Sequence, residues 1–183
     1  MRYPRAVDGL QDRELMGEVR GGSREAYEAL VAGWGPRIFA FLLRRTGSRF
    51  AAEEAYQETW LRVWQWRARY DPARAFRPWL FTIASNAGFD SRKPRRDDFE
   101  LAEEPGVDRD PVPARDSLLK ALHALSPADR RLVLLAGEGF NATEIGAMEA
   151  LKPGTVRMRL KRARERMAAA ISSPGVTPGP AGQ

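Results

Sequence analysis

Between Lys152 and Arg166 the sequence sets seven basic residues against one acid, Glu165. Wound as an α-helix, this stretch gathers Val156, Leu160, Ala163 and Met167 into one narrow apolar stripe. Arg157, Met158, Arg159, Lys161, Arg162, Arg164 and Arg166 fill the rest of the circumference. A helix so divided can rest its stripe on a core and lie in the major groove of DNA. Arg157, Met158, Lys161 and Arg162 stand where side chains reach base edges. Arg159, Arg164 and Arg166 suit phosphate contacts, which position a helix without specifying sequence. The same composition would serve a solvated basic helix, but a short capped helix just upstream favours the DNA reader.

Other chemistries find little support. The chain has no cysteine, which removes disulfides, thiolate metal sites and thiol redox sensing. Its single histidine, His123, argues against a His-based metal site or a Ser-His triad, and reads as a helix-surface or boundary residue. Glu53, Glu54 and Glu58 could start a carboxylate metal site in a helical enzyme, but such sites draw matching Glu and His from other helices. No cofactor is expected. With 43% hydrophobic and 30% charged residues the chain has a globular composition, and a net charge of +6 favours an anionic partner. The start MRYPRAVDGLQD lacks the apolar core of a signal peptide, and no apolar run approaches the ~20 residues that span a bilayer. The expectation is a cytoplasmic protein with no membrane insertion.

These residues need helices to hold them. Nothing alternates with period two for long, so the fold class is all-α. A first helix ends at Gly21-Gly22, and Ser23 caps a long second one that runs toward Arg45 with a kink at Gly35-Pro36. Thr46-Gly47-Ser48 breaks it. A third helix covers roughly 51–69, and a fourth runs from near Pro78 to about Arg92. From Arg96 to Pro113 the run RDDFELAEEPGVDRDPVP holds seven acids and three prolines, and reads as a flexible acidic linker. Beyond it come a helix over 115–124, a start at Ser126-Pro127-Ala128-Asp129, a capping-box-like start at Asn141-Ala142-Thr143-Glu144, and a last helix opened by Pro153-Gly154-Thr155. The closing pair has helix-turn-helix spacing.

The organisation expected is therefore an N-terminal arm over 1–9, a helical domain over 10–95, a linker over 96–113, a helix-turn-helix domain over 114–172 and a disordered tail over 173–183. Stretched, a linker of about 15 residues reaches roughly 50 Å, and each domain is about 30 Å across. The two domains can therefore sit on separate DNA sites without touching.

GFNATEIGAMEALKPGTVRMRLKRARERM resembles region 4 of the extracytoplasmic-function (ECF) sigma factors, a branch of the sigma-70 family. EVRGGSREAYEALVAGWGPRIFAFLLRR resembles region 2.1, AAEEAYQETWLRVW region 2.2, and FRPWLFTIASNAGFDSRK regions 2.3 and 2.4. The four matches run in order across nearly the whole chain. The resemblance implies a sigma region 2 helical bundle followed by a region 4 helix-turn-helix. It implies an RNA polymerase sigma factor that binds core polymerase at the clamp helices of the largest subunit and at the flap region, reads promoter DNA, and is held by an anti-sigma factor. Glu54, Gln57, Glu58, Leu61 and Arg62 match the polymerase-binding helix. Arg74, Arg77, Trp79, Phe81 and Asn86 match the segment that opens and reads the −10 element. There aromatic faces hold unstacked bases while arginines neutralise phosphates. Thr155, Arg157, Met158, Arg159, Lys161, Arg162 and Arg164 match the −35 reader. Thr82 stands where an arginine is common, and Met158 where a small polar residue is. Glu149-Ala150 replaces the usual Leu-Gly at the region 4 turn, which implies looser packing there.

Such a protein is a non-catalytic initiation subunit. The competing function is a conventional helix-turn-helix regulator, with residues 10–95 as a ligand or dimerisation domain and a palindromic operator.

Overall fold

A computed structural model describes residues 9–87 and 113–172. Residues 1–8, 88–112 and 173–183 lie outside the described residues, and with them most of the arm expected over 1–9, the end of the domain expected over 10–95, most of the linker expected over 96–113 and the tail expected over 173–183. Among the described residues there are only helices: α1 (Gly9–Arg20), α2 (Arg24–Thr46), α3 (Arg49–Gln65), a 3-10 turn (Arg67–Arg69), α4 (Phe76–Asn86), α5 (Pro113–His123), α6 (Pro127–Gly137), α7 (Ala142–Glu149) and α8 (Pro153–Ser172). None is long and apolar enough to cross a membrane.

Capping chemistry fixes most boundaries. The Ser23 and Ser48 side chains accept from the amides of Ala26 and Ala51, opening α2 and α3. Gly47 closes α2 in the left-handed region at φ 73°, where a side chain would be strained. Pro36 lies inside α2, so the helix continues through it as one element. Beside it, Gly35 lets Tyr56 of α3 come close; a β-carbon there would lie 2.5 Å from the phenolic oxygen.

α4 departs from the expected boundaries. It starts at Phe76 and stops at Asn86, with Ala87 extended, rather than running toward Arg92. The buried Arg45 of α2 donates to the carbonyls of Ala84 and Ala87, satisfying the end of the helix from outside. Burial first, and then the nearby Arg131 charge, pushes the Arg45 pKa down to about 10.

The N-terminal core is rich in aromatics. Trp34 meets Phe76 and Phe81 edge-on, Phe41 meets Phe81, and Tyr70 meets Phe76 and Trp79. Such pairs add about 0.5–1.5 kcal/mol each beyond their buried area. α1 is tied in by the buried Asp12 carboxylate, which accepts from the Trp34 indole at 3.0 Å. The C-terminal core is aliphatic: Leu122, Leu125, Leu132, Leu135, Ile145, Val156 and Leu160. The two units are packed together, α6 against α2 and α7 against α4. In this conformation the two units touch.

Candidate nucleic-acid and polymerase interfaces

The helix-turn-helix is built on caps. Asn141 accepts from the amides of Thr143 and Glu144 while Glu144 accepts from the Asn141 amide, a full capping box that starts α7. The turn to α8 is tight, not loose. Ala150 takes φ 54°, the Leu151 amide donates to the Gly146 carbonyl, and a β-carbon on Gly146 would lie 2.5 Å from the Leu151 oxygen. Glu149 contributes to this closure, because its nearly buried carboxylate is ion-paired with Arg131. Burial pushes the Glu149 carboxyl up, and the Arg131 and Arg45 charges pull against that.

On α8, Val156, Leu160 and Ala163 are buried and Met167 is partly so. Arg157, Met158, Lys161, Arg162 and Arg164 all face outward, and Thr155 is half-buried at the first turn. Arg159 differs from them. It holds Asp129 at the start of α6, with Nη2 and Nε at 2.7 and 2.8 Å from Oδ1. Burial raises the Asp129 pKa, but hydrogen bonds from Arg159 and Ser126 outweigh it and hold the carboxyl below its usual range.

On α3, Glu54, Gln57 and Leu61 are exposed on one face. Glu58 is paired with Arg62 at 2.5 Å, and the Arg62 guanidinium also lies over the Trp66 ring. Beside this face an open hollow of about 560 Å³ is lined by Tyr27, Val31, Ala32, Tyr56, Trp60 and Leu61, among others. Its floor is apolar and its neighbours are charged.

The five residues expected at the −10 element do not form one open surface. Arg74 is exposed and pairs with Asp71 at 3.4 Å. Trp79 is half-buried against Tyr70 and Phe76. Asn86 is exposed, but its side-chain oxygen accepts from Arg131 of α6 at 3.3 Å. Phe81 is 0% exposed, packed among Trp34, Phe41 and Phe140, so in this conformation it cannot stack on a base. Arg77 is turned toward the C-terminal unit. Its guanidinium lies 4.1 Å over the Phe140 ring and donates to the Glu138 carbonyl. Burial, then the Arg37 charge, lowers the Arg77 pKa from its ordinary value.

Glu138 was not singled out by its sequence setting, yet it is the hub of this contact. Its side chain is 7% exposed. Arg37 Nε lies 2.7 Å from one carboxylate oxygen and Arg44 Nη2 lies 2.6 Å from the other, while Arg37 Nη2 donates to the carbonyl at 3.1 Å. Arg130 of α6 donates across the same boundary to the Arg45 carbonyl at 3.0 Å. Separations of 85 to 101 residues between these partners leave no local signal that could have linked them.

Two helical units, the second a capped helix-turn-helix with an outward basic face, define a two-domain DNA-binding protein. Residues 30–96 match the model of Sigma-70 region 2, and residues 115–167 match that of Sigma-70, region 4. The RNA polymerase sigma factor CarQ of Myxococcus xanthus is 37% identical over 162 residues, covering 83% of this chain and 92% of CarQ. The ECF RNA polymerase sigma factor SigL of Mycobacterium tuberculosis is 33% identical over 152 residues, covering 76% of this chain and 85% of SigL. Among solved structures, CnrH in complex with the cytosolic domain of CnrY matches with a TM-score of 0.68 at 26% identity, over 90% of this chain and 99% of that one. The chain belongs to the sigma-70 family of RNA polymerase sigma factors, in its ECF branch. Residues once open to a ligand or dimerisation role are thus occupied by region 2, and the conventional-regulator alternative is not favoured.

Proposed function

We propose that residues 10–95 bind core RNA polymerase and read the −10 element, that 114–172 read the −35 element, and that the acidic segment 96–113 joins them as a linker. The observation that carries this is the outward basic face of α8 behind a capped α7, joined in one chain to the exposed Glu54, Gln57 and Leu61 face of α3. Glu54, Gln57, Glu58, Leu61 and Arg62 meet the clamp helices, with the adjoining apolar hollow receiving side chains from them. Charged groups at such a rim give orientation and selectivity more than affinity. Arg157, Met158, Lys161 and Arg162 reach base edges, Thr155 and Arg164 fix the helix on the backbone, and Arg159 contacts phosphate only by sharing itself with Asp129. Arg74, Arg77, Trp79, Phe81 and Asn86 serve the −10 element once the C-terminal unit has moved away.

No bond is made or broken by this chain. Two weak DNA contacts carried on one polymerase act together through effective concentration. The protein works in the cytoplasm, and an anti-sigma factor is its regulatory partner; the similar CnrH is found in complex with the cytosolic domain of CnrY. Run-off transcription with core polymerase tests the assignment: promoter-specific transcripts are expected only when this chain is added. If core polymerase neither binds the chain nor starts at new sites, the assignment is lost. The free chain is expected to bind promoter DNA weakly and with steep salt dependence.

A further inference from the structure

The Glu138–Phe140 turn is gripped as a nucleotide would be. Three guanidinium groups, Arg37 and Arg44 from α2 and Arg77 from α4, converge on one carboxylate and one carbonyl. Glu144 adds only a weaker attraction on Arg77. The forked guanidinium donors fit a phosphodiester at least as well as a carboxylate. Two residues on, the Phe140 ring lies beneath the Arg77 guanidinium at 4.1 Å and edge-on to Phe81 at 5.3 Å. A cation above and an aromatic edge beside are the surroundings that hold an unstacked base. The side-chain oxygen of Asn86 is likewise taken, by Arg131.

We propose that this surface of the N-terminal unit is a single-stranded-DNA site in which Arg37 and Arg44 contact phosphate beside Arg77. In the free chain the Glu138–Phe140 turn occupies that site as an internal pseudo-nucleotide. This rests on the promoter-reading role proposed above. It adds α2 to the DNA path and makes the C-terminal unit a competitor of the strand that the N-terminal unit reads. Affinity for DNA is then reduced by the fraction of molecules that are closed.

The test uses the full chain, which has no native cysteine, with dyes at Gln65→Cys and Ala147→Cys, exposed positions on α3 and α7. Energy transfer between the dyes reports closure, and a short fluorescent single-stranded oligonucleotide reports binding. Glu138→Gln is expected to lower transfer and to tighten oligonucleotide binding about tenfold, by raising the open fraction. Adding oligonucleotide to the unsubstituted chain is expected to lower transfer as well, since the coupling is reciprocal. Arg44→Ala, which takes one of the two cations from the Glu138 carboxylate, should lower transfer as well. Unchanged transfer or unchanged affinity in Glu138→Gln overturns the proposal, as does opening without tighter binding. Should Glu138→Gln fail to fold, unchanged transfer in Arg44→Ala overturns it instead. Run-off transcription separates the two ideas. Transcripts with unmoved transfer and affinity defeat only the pseudo-nucleotide, whereas absent transcripts for every version defeat the sigma-factor assignment.

Discussion

α4 and α8 both carry residues matched to promoter reading, but their surroundings are opposite. α8 buries only a thin seam of Val156, Leu160 and Ala163 and turns Arg157, Met158, Lys161, Arg162 and Arg164 to solvent. α4 buries Phe76, Leu80, Phe81, Ile83 and Ala84, and the side chains it does not bury are largely held by neighbours. A helix that reads duplex DNA in the groove can be finished in advance, because its ligand asks only for exposed donors. A segment that captures unstacked bases needs aromatic rings, and exposed rings are costly in water. Here Phe76 and Trp79 pack within their own unit, and Phe81 also meets Phe140 from the other unit.

The contrast can be broken most forcefully at Phe81. Phe81→Ala is expected to destabilise the chain by about 3–5 kcal/mol, as a large-to-small change in a closed core does. Chemical denaturation measures it, and a loss below 1 kcal/mol, on the order of a surface change, would contradict the burial described. On the other helix Arg157→Ala should leave stability unchanged and cost about 1–3 kcal/mol in −35-dependent initiation, through one lost base contact. Transcription from promoters with and without a −35 element provides the comparison. Ala150→Gly is expected to stabilise the C-terminal unit by about 1 kcal/mol, because it relieves a left-handed backbone at φ 54°. A lower melting temperature for this variant would show that the turn carries no strain.

A separate effect is in acid. The His123 ring of α5 packs on Gly47 of α2, where a β-carbon would lie 2.6 Å from it. Burial, reinforced by Arg130, pushes its pKa down to about 4 from 6.5, against a hydrogen bond at Arg44 that raises it. The unfolded chain therefore binds the proton more readily, so stability falls as the pH drops from about 6.5 toward 4. His123→Gln should flatten that part of the profile in thermal melts.

Much of the fold was legible because its signals are local. Ser23, Ser126 and Asn141 announce helix starts by side-chain caps that act within three residues, and Gly47 announces an end by its left-handed backbone. The stripe on α8 was equally readable, since periodicity alone sorts its residues. The early end of α4 was not, because Arg45 supplies its closing donors from 39 residues away. The third helix likewise gives way at Trp66 to a 3-10 turn. In the candidate site, residue types were legible and their availability was not. Phe81, Arg77 and Asn86 owe their present state to Phe140, Glu138 and Arg131, partners far along the chain.

The aromatic lattice of the N-terminal unit has an optical consequence. All five tryptophans, Trp34, Trp60, Trp64, Trp66 and Trp79, precede the acidic segment, and the polypeptide beyond it has none. Indole emission therefore originates from one half of the molecule, while far-ultraviolet dichroism counts helices in both. Divergence of the two melting curves would reveal which half lets go first.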